Sequence, residues 1–142
     1  MPTLKYAIEF RGTTVKRASA AGRIYAFVTV STGHTVEREA RILEIDAEHQ
    51  ERMAAHYLAA LEGHERMSPT YINGKTVEES YQIWYTRSLV EAKRLRETDP
   101  ADRAKRVYDW GWSSRRDLAE KNAARARSLG YQNVTVLEVP QP

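Results

Sequence analysis

The residues best suited to chemistry in this chain are cations interleaved with large aromatic rings in its C-terminal third. Residues 93–127 carry eleven Lys and Arg side chains around Tyr108 and two tryptophans. Cations that contact phosphates and rings on which bases stack are the two features that nucleic-acid binding uses. Six residues are therefore the candidate contacts for a nucleic acid or another partner: Arg103, Arg106, Trp110, Trp112, Arg115 and Arg116.

A structural interpretation of the same segment is also open. Trp110 and Trp112 flank Gly111 at what the pattern predicts to be a corner between two helices, where large rings usually fill a core. Acidic residues at 102, 109 and 117 lie close enough along the predicted helices to neutralise several of the cations. Arg also outnumbers Lys sixteen to six, a bias that GC-rich coding produces without any functional cause. The segment thus fits a binding surface or an ordinary solvated face.

Catalytic and metal motifs give no comparable signal. The absence of Cys excludes disulfides, thiol nucleophiles and cysteine-ligated metals. His49 and His56 are two helical turns apart, but their spacing matches no metal motif. Ser113 and Ser114 precede a predicted helix, where serine is expected as a cap. Residues 74–76, Gly-Lys-Thr, resemble the end of a phosphate-binding loop but lack its upstream glycine. We therefore expect a protein without catalytic residues, metal or cofactor.

Strands at both ends of the chain are the first elements that must position these residues. Apolar and polar residues alternate over 3–10, and 23–31 is rich in β-branched and aromatic residues. Residues 133–139 form a last apolar run, and a lone C-terminal strand would leave its edges unpaired. We therefore expect these three segments to share one sheet. Residues 35–45 fit either a strand or a helix, and we favour a strand.

Helices are predicted between the strands. Asp46 and the pair Asp99-Pro100 are good N-terminal signals, and the residue pattern at 76–79 and at 114–117 matches a capping box. Gly63 and Gly130 are natural C-terminal residues. The predicted helices are 46–63, 76–96, 99–108 and 114–130, with a loop at 64–75. The side chains expected to be mostly buried are Ile8, Val28, Trp84 and Leu118.

Together these elements predict the α+β class. We expect residues 1–142 to form one domain, in which a small antiparallel or mixed sheet of N-terminal strands plus the C-terminal strand packs against three to four helices. The length of 142 residues and a hydrophobic fraction of 42% suit one compact domain and exclude a wholly disordered chain.

The formal net charge of +3 conceals a segregated pattern. Residues 1–34 carry +4, residues 35–99 carry −4 and residues 100–142 carry +3. The longest apolar run is too short to span a bilayer, and the first residues do not resemble a signal peptide. We therefore expect a cytoplasmic protein with no membrane partner.

Both ends of the chain resemble a known class of proteins. The N-terminal part of the resemblance is TVKRAS at 14–19 followed by RIY at 23–25. The C-terminal part is WSSRRDLA at 112–119, with Ala123, Ala126 and the ending GYQNVTV at 130–136. Together they resemble small uncharacterised accessory proteins of actinobacterial phages, over about half of the chain. The resemblance implies a phage origin and a non-virion accessory role in the host cell, and it implies no active site.

These observations favour a non-enzymatic protein that binds a macromolecule of the host, first of all a host protein. The alternative is a protein that binds DNA or RNA through the basic, Trp-containing segment 93–127. The oligomeric state is not predicted.

Overall fold

The computed structural model describes residues 3–19, 22–63, 71–72 and 74–142. The described chain has an α+β fold, as predicted. The elements in chain order are β1 (Leu4–Phe10), β2 (Thr13–Ser19), β3 (Phe27–Ser31), α1 (Val36–Gly63), β4 (Tyr71–Ile72), β5 (Lys75–Thr76), α2 (Val77–Glu97), α3 (Pro100–Lys105), β6 (Tyr108–Ser113), α4 (Arg116–Ser128) and β7 (Thr135–Glu138). Within the described ranges, no helix combines the length and the apolar character that crossing a membrane requires.

The chain divides into two compact units. The first, which we call the basic unit, comprises Met1–Glu39 and Ala101–Pro142. The second, the helical unit, comprises Ala40–Pro100. The assignment of all 142 residues to one domain stays a prediction.

A β-hairpin and a three-stranded sheet form the apolar centre of the basic unit. β1 and β2 pair antiparallel through the turn residues Arg11 and Gly12, whose φ angles of 47° and 80° match the positive φ that tight hairpin turns require. β3 pairs antiparallel with β6 on one side and with β7 on the other. The core joins both sheets, and its buried members are Tyr6, Phe10, Val15, Tyr25, Val28, Val30 and Val139.

The prediction that residues 3–10 share a sheet with 23–31 and 133–139 is therefore wrong for its first segment. The tight turn after Phe10 gives β1 its own partner, β2, because a two-residue turn brings the following residues directly alongside. The place beside β3 is taken instead by β6, a strand that the sequence analysis did not predict. The pairing of β3 with β7 confirms the other two segments.

Helix α4 covers the other face of the three-stranded sheet. Small residues allow the close approach: Ala119, Ala123 and Ala126 are buried, and the Thr29 hydroxyl donates to the Ala119 carbonyl at 2.8 Å. Gly130 (φ 83°) follows the C-cap of this helix, as predicted, and the two hydrogen bonds of a Schellman motif close the helix end.

The predicted capping box at 114–117 is wrong. The N-cap of α4 is Arg115, without a side-chain cap bond. The Ser113 hydroxyl accepts the backbone N–H of Arg115 itself, at 3.0 Å.

The helical unit is built from the greater part of α1 and from α2. Leu43, Ala47 and Leu95 form its buried apolar cluster. Further along the helices Tyr57, Tyr81 and Trp84 pack together, with ring centroids 5.4–5.7 Å apart. The predicted cap of α2 is confirmed, because the Thr76 hydroxyl accepts the backbone N–H of Glu79 at 3.1 Å.

The preference for a strand at residues 35–45 is wrong, since residues 36–45 are the first ten residues of α1. Val36, Ala40, Leu43 and Ala47 recur every three to four residues, which is the helical period, and of the four only Val36 favours a strand. The backbone N–H of Arg38 donates to the Thr35 hydroxyl at 3.3 Å.

Several smaller predictions have mixed outcomes. Asp46, predicted as an N-cap, lies inside α1. α3 starts at Pro100 as predicted but ends at Lys105. Val28 is fully buried, and Ile8 and Trp84 are half-buried. Leu118 is 40% exposed, so its predicted burial is wrong. Most of the loop predicted at 64–75 lies outside the described residues, as do Asn73 and His64.

Candidate macromolecule-binding surfaces

The structure places the two predicted tryptophans in β6 and not at a corner between helices. Between Thr29 and Val30 of β3 the register with β6 shifts from Gly111 to Asp109, which leaves Trp110 as the extra residue of a β-bulge. Because of this bulge, Trp110 and Trp112 contact residues on opposite faces of the sheet although they are two positions apart.

Both rings pack within the basic unit. The indole N–H of Trp110 donates to the Ser31 hydroxyl at 2.8 Å, and its ring meets that of Tyr131 edge-on, with centroids 4.8 Å apart. Trp112 lies on the hairpin side, 6.2 Å from the rings of Tyr6 and Tyr25. Its N–H donates to Asp109 Oδ2 at 2.6 Å. Both tryptophans are half-buried, and these contacts give both rings a structural role.

Arg103 points at a buried carboxylate. Its Nε lies 3.0 Å from Glu39 Oε2, although the N–H is not aligned well enough to form a hydrogen bond. Glu39 is 1% exposed and is the largest of the fully buried side chains in the described residues. A buried charge is strongly disfavoured unless it is paired, so this contact holds Arg103 to its own unit.

His34 completes the surroundings of Glu39. The backbone N–H of His34 donates to Glu39 Oε1 at 3.1 Å, and ring Nδ1 lies 2.9 Å from the same oxygen. Ring Nε2 lies 3.0 Å from the carbonyl oxygen of Leu129, at the end of α4. Burial alone would raise the pKa of Glu39, but the hydrogen bonds from His34 and the charge of Arg103 outweigh it, so the pKa lies below its usual value. The ionised Glu39, in the first turn of α1, is thus connected through the His34 ring to Leu129, the C-cap of α4.

Arg115 and Arg116 also have acidic neighbours. Arg115 binds Asp117 with two hydrogen bonds of 3.0 and 2.5 Å, which hold the pKa of Asp117 below its usual value. Arg116 lies 3.8 Å from Glu120 and 3.9 Å from Glu138.

Arg106 is exposed and has no ion pair in the described part of the chain. Of the four predicted arginines, it alone offers an unpaired guanidinium.

A more open surface, which was not among the predicted sites, lies on the outer side of α4. We call it the α4 stripe; it consists of Leu118, Lys121, Arg125 and Leu129. Their spacing of three to four residues places them along one line of the helix. Leu118 and Leu129 are 40% and 45% exposed, and neither cation between them has an acidic partner among the described residues. The spacing was visible in the sequence, but the assignment of Leu118 to the core concealed it.

The histidines considered for a metal site do not converge with other ligands. His49 and His56 are exposed on α1. In the described ranges, no three His, Asp or Glu side chains are grouped so that they could hold a metal ion.

The two units have formal charges of opposite sign. The basic unit contains fourteen Lys and Arg residues and eight Asp and Glu residues, a formal charge of +6. The helical unit contains eight Lys and Arg residues and eleven Asp and Glu residues, a formal charge of −3.

The chain matches no protein-family model, no curated protein and no solved structure.

Proposed function

We propose that this chain is a non-enzymatic accessory protein that acts by binding another protein, and that the α4 stripe is the contact surface. One observation carries the proposal: two leucines that are 40% and 45% exposed bracket two cations that have no acidic partner in the described ranges. The likeness of both chain ends to phage accessory proteins supports a host protein as the partner and the host cytoplasm as the place of action.

The leucines favour a protein over a nucleic acid. A phosphate backbone uses cations and gains nothing from exposed leucines, whereas protein interfaces have an apolar centre with a polar rim. Complete burial of a leucine side chain contributes about 1.5–3 kcal/mol, and Leu118 and Leu129 have less than half of their surface left to bury. A surface ion pair adds up to about 1 kcal/mol. The stripe therefore suits an acidic partner surface that also presents apolar side chains.

The test is capture of host proteins on the immobilised full chain, with identification of the retained protein. Leu118→Ser with Leu129→Ser, and separately Lys121→Glu with Arg125→Glu, should each abolish retention of the same protein. The matched controls lie on the same unit: Ile24→Ser removes a side chain that is 57% exposed, and Lys5→Glu with Lys16→Glu reverses two exposed cations. Retention that survives both stripe variants, or that is lost equally in the controls, would overturn the proposal.

Nucleic-acid binding is the second candidate, favoured by the +6 formal charge of the basic unit and by the unpaired side chains of Arg106, Lys121 and Arg125. It predicts retention of DNA or RNA that weakens steeply with salt. In that case the charge variant of the stripe should weaken binding while the leucine variant leaves it unchanged.

A further inference from the structure

Helix α2 carries apolar side chains on more than the face that it buries. Its buried positions are Ser80, Ser88, Ala92 and Leu95, which lie on one side of the helix. Ile83 and Val90 are seven residues apart and thus share a different side. Val90 is 63% exposed, the largest exposure among the large hydrophobic residues of the described chain. A helix that is apolar on two sides usually has a neighbour on each of them.

A shallow groove lined by Glu79, Gln82 and Ile83 runs along this second side of α2. A second groove, lined by Gln50 of α1 and by Ser88, Val90 and Glu91 of α2, lies where this side meets α1. Both grooves also contain Thr86 and Arg87, so they adjoin at the middle of the helix. We call the line of residues Glu79, Ile83, Thr86, Val90 and Lys93 the α2 stripe.

We propose that a second copy of this chain docks on the α2 stripe, with the two α2 helices antiparallel. A symmetric dimer uses the same surface on both copies. If a residue of the first copy contacts a second residue on the other copy, the same contact is therefore made again with the copies exchanged. A two-fold axis between Thr86 and Arg87 meets this condition, because it places Ile83 of each copy opposite Val90 of the other. The apolar pair is then made twice, once on each side of the axis.

The charges at the two ends of the stripe support this arrangement. The same axis brings Glu79 of one copy opposite the turn of the other copy that carries Lys93 and Arg94. The side chain of Lys93 is 77% exposed, and its ammonium group is 3.9 Å from Glu97, beyond hydrogen-bonding distance. The Glu79 carboxylate accepts one hydrogen bond, from the Thr76 hydroxyl. Both groups therefore retain capacity for a partner of opposite charge.

The centre of the pair contains one unfavourable feature. Arg87 lies beside the axis, so it comes close to Arg87 of the other copy, and like charges repel. This repulsion predicts a reversible dimer. It also gives a signature that a mere loss of folding would not produce, because removing the charge should strengthen the association.

The experiment is sedimentation of the full chain, and of its variants, over concentrations from about 1 µM to about 1 mM. The unmodified chain should dimerise within this range. Val90→Asp should weaken the dimer at least about tenfold. The matched control is Ile45→Asp, because Ile45 is 49% exposed in the same unit but lies on α1. It should leave the dimer unchanged.

A charge swap tests the register: Glu79→Lys and Lys93→Glu should each weaken the dimer, and the two changes together should restore it. Arg87→Ala tests the repulsion at the axis and should strengthen the dimer. A chain that stays monomeric throughout the range, equal effects of Val90→Asp and Ile45→Asp, or no restoration by the double variant would overturn the proposal. The dimer is independent of the α4 stripe, so Lys121→Glu with Arg125→Glu should not change it.

Discussion

At the scale of single residues, the most informative group is the buried carboxylate of Glu39. It faces the ring and backbone N–H of His34 and the guanidinium of Arg103, all within the basic unit. His34 Nε2 in turn lies against the carbonyl of Leu129, 95 residues away. A charged group with these partners stabilises the fold only while all of them are present, since loss of one leaves the others buried and unpaired.

Replacement of Glu39 by glutamine should therefore lower the stability of the protein. The neutral amide removes the charge opposite Arg103, and we expect the free energy of unfolding to fall by about 3 kcal/mol. Denaturant unfolding of the full chain measures this change. Glu37→Gln is the control, because Glu37 lies in the same first turn of α1 but is exposed. Equal stability of the two variants would show that the buried cluster contributes nothing.

The contribution of Glu39 should also depend on pH. Its pKa is lowered in the folded protein, so its stabilisation is fully present above the unfolded pKa of about 4.3 and is lost as the pH falls through the folded pKa. The difference in unfolding free energy between the unmodified chain and Glu39→Gln should thus be constant near neutrality and shrink below about pH 5. Unfolding curves of both proteins at several pH values test this, and a difference that grows on acidification would contradict it.

This cluster could not be found from the sequence. Arg103 is a predicted phosphate contact, but its counter-ion in the structure is Glu39, 64 positions away in the chain. His34 and Glu39 are five residues apart, and the preference for a strand at 35–45 concealed the helix start that brings them together. Partners so distant in sequence leave no local pattern.

At the scale of elements, strong local signals predicted well and tertiary effects did not. The β-branched run of β3, the cap of α2 at Thr76 and the Gly130 end of α4 were each specified within a few residues. In β6 the rings of Tyr108, Trp110 and Trp112 alternate with smaller residues, which is the period of a strand. It was not predicted because Gly111, between two large rings, indicated a corner. It becomes a strand because β3 lies beside it and a bulge absorbs Trp110.

The glycine in β6 should be essential to this arrangement. Gly111 has a φ of 133°, which side chains rarely adopt, and a Cβ there would lie 2.9 Å from Asn122 Nδ2 on α4. We expect Gly111→Ala to lower stability by roughly 1–3 kcal/mol, measured by thermal or denaturant unfolding. Gly63→Ala is the control, since a Cβ at that helix end has open space. A neutral Gly111→Ala would mean that β6 does not need the bulged conformation.

At the scale of the whole molecule, charge follows the division into units. The sequence shows basic ends and an acidic middle, and the fold gathers the two ends into one unit of +6 and the middle into one of −3. The candidate surfaces follow the same division: the α4 stripe with its two unpaired cations belongs to the basic unit, and the α2 stripe to the helical unit. Composition by segment therefore predicted the electrostatics of the molecule better than it predicted individual contacts.

The net charge of the basic unit gives the last prediction, on nucleic-acid binding. A surface of this charge attracts any polyanion to some extent, and each phosphate contact contributes about 0.9 to the slope of log K against log salt concentration. Arg115 and Arg116 are already next to carboxylates, so Arg115→Ala with Arg116→Ala should change neither the slope nor the affinity for duplex or single-stranded DNA.

Lys121→Ala with Arg125→Ala, by contrast, should flatten the slope by about 1.8 if the α4 stripe contacts phosphates. The measurement is the DNA affinity of both double variants at several salt concentrations. The two variants are matched, because each removes two cations from α4 or its N-cap. A large loss with the first variant would mean that the ion pairs with Asp117, Glu120 and Glu138 open in favour of phosphate, and nucleic acid would then replace protein as the first partner. If the first variant is silent and the second leaves the slope unchanged, the α4 stripe does not contact phosphates, and the exposed leucines favour the proposed protein partner.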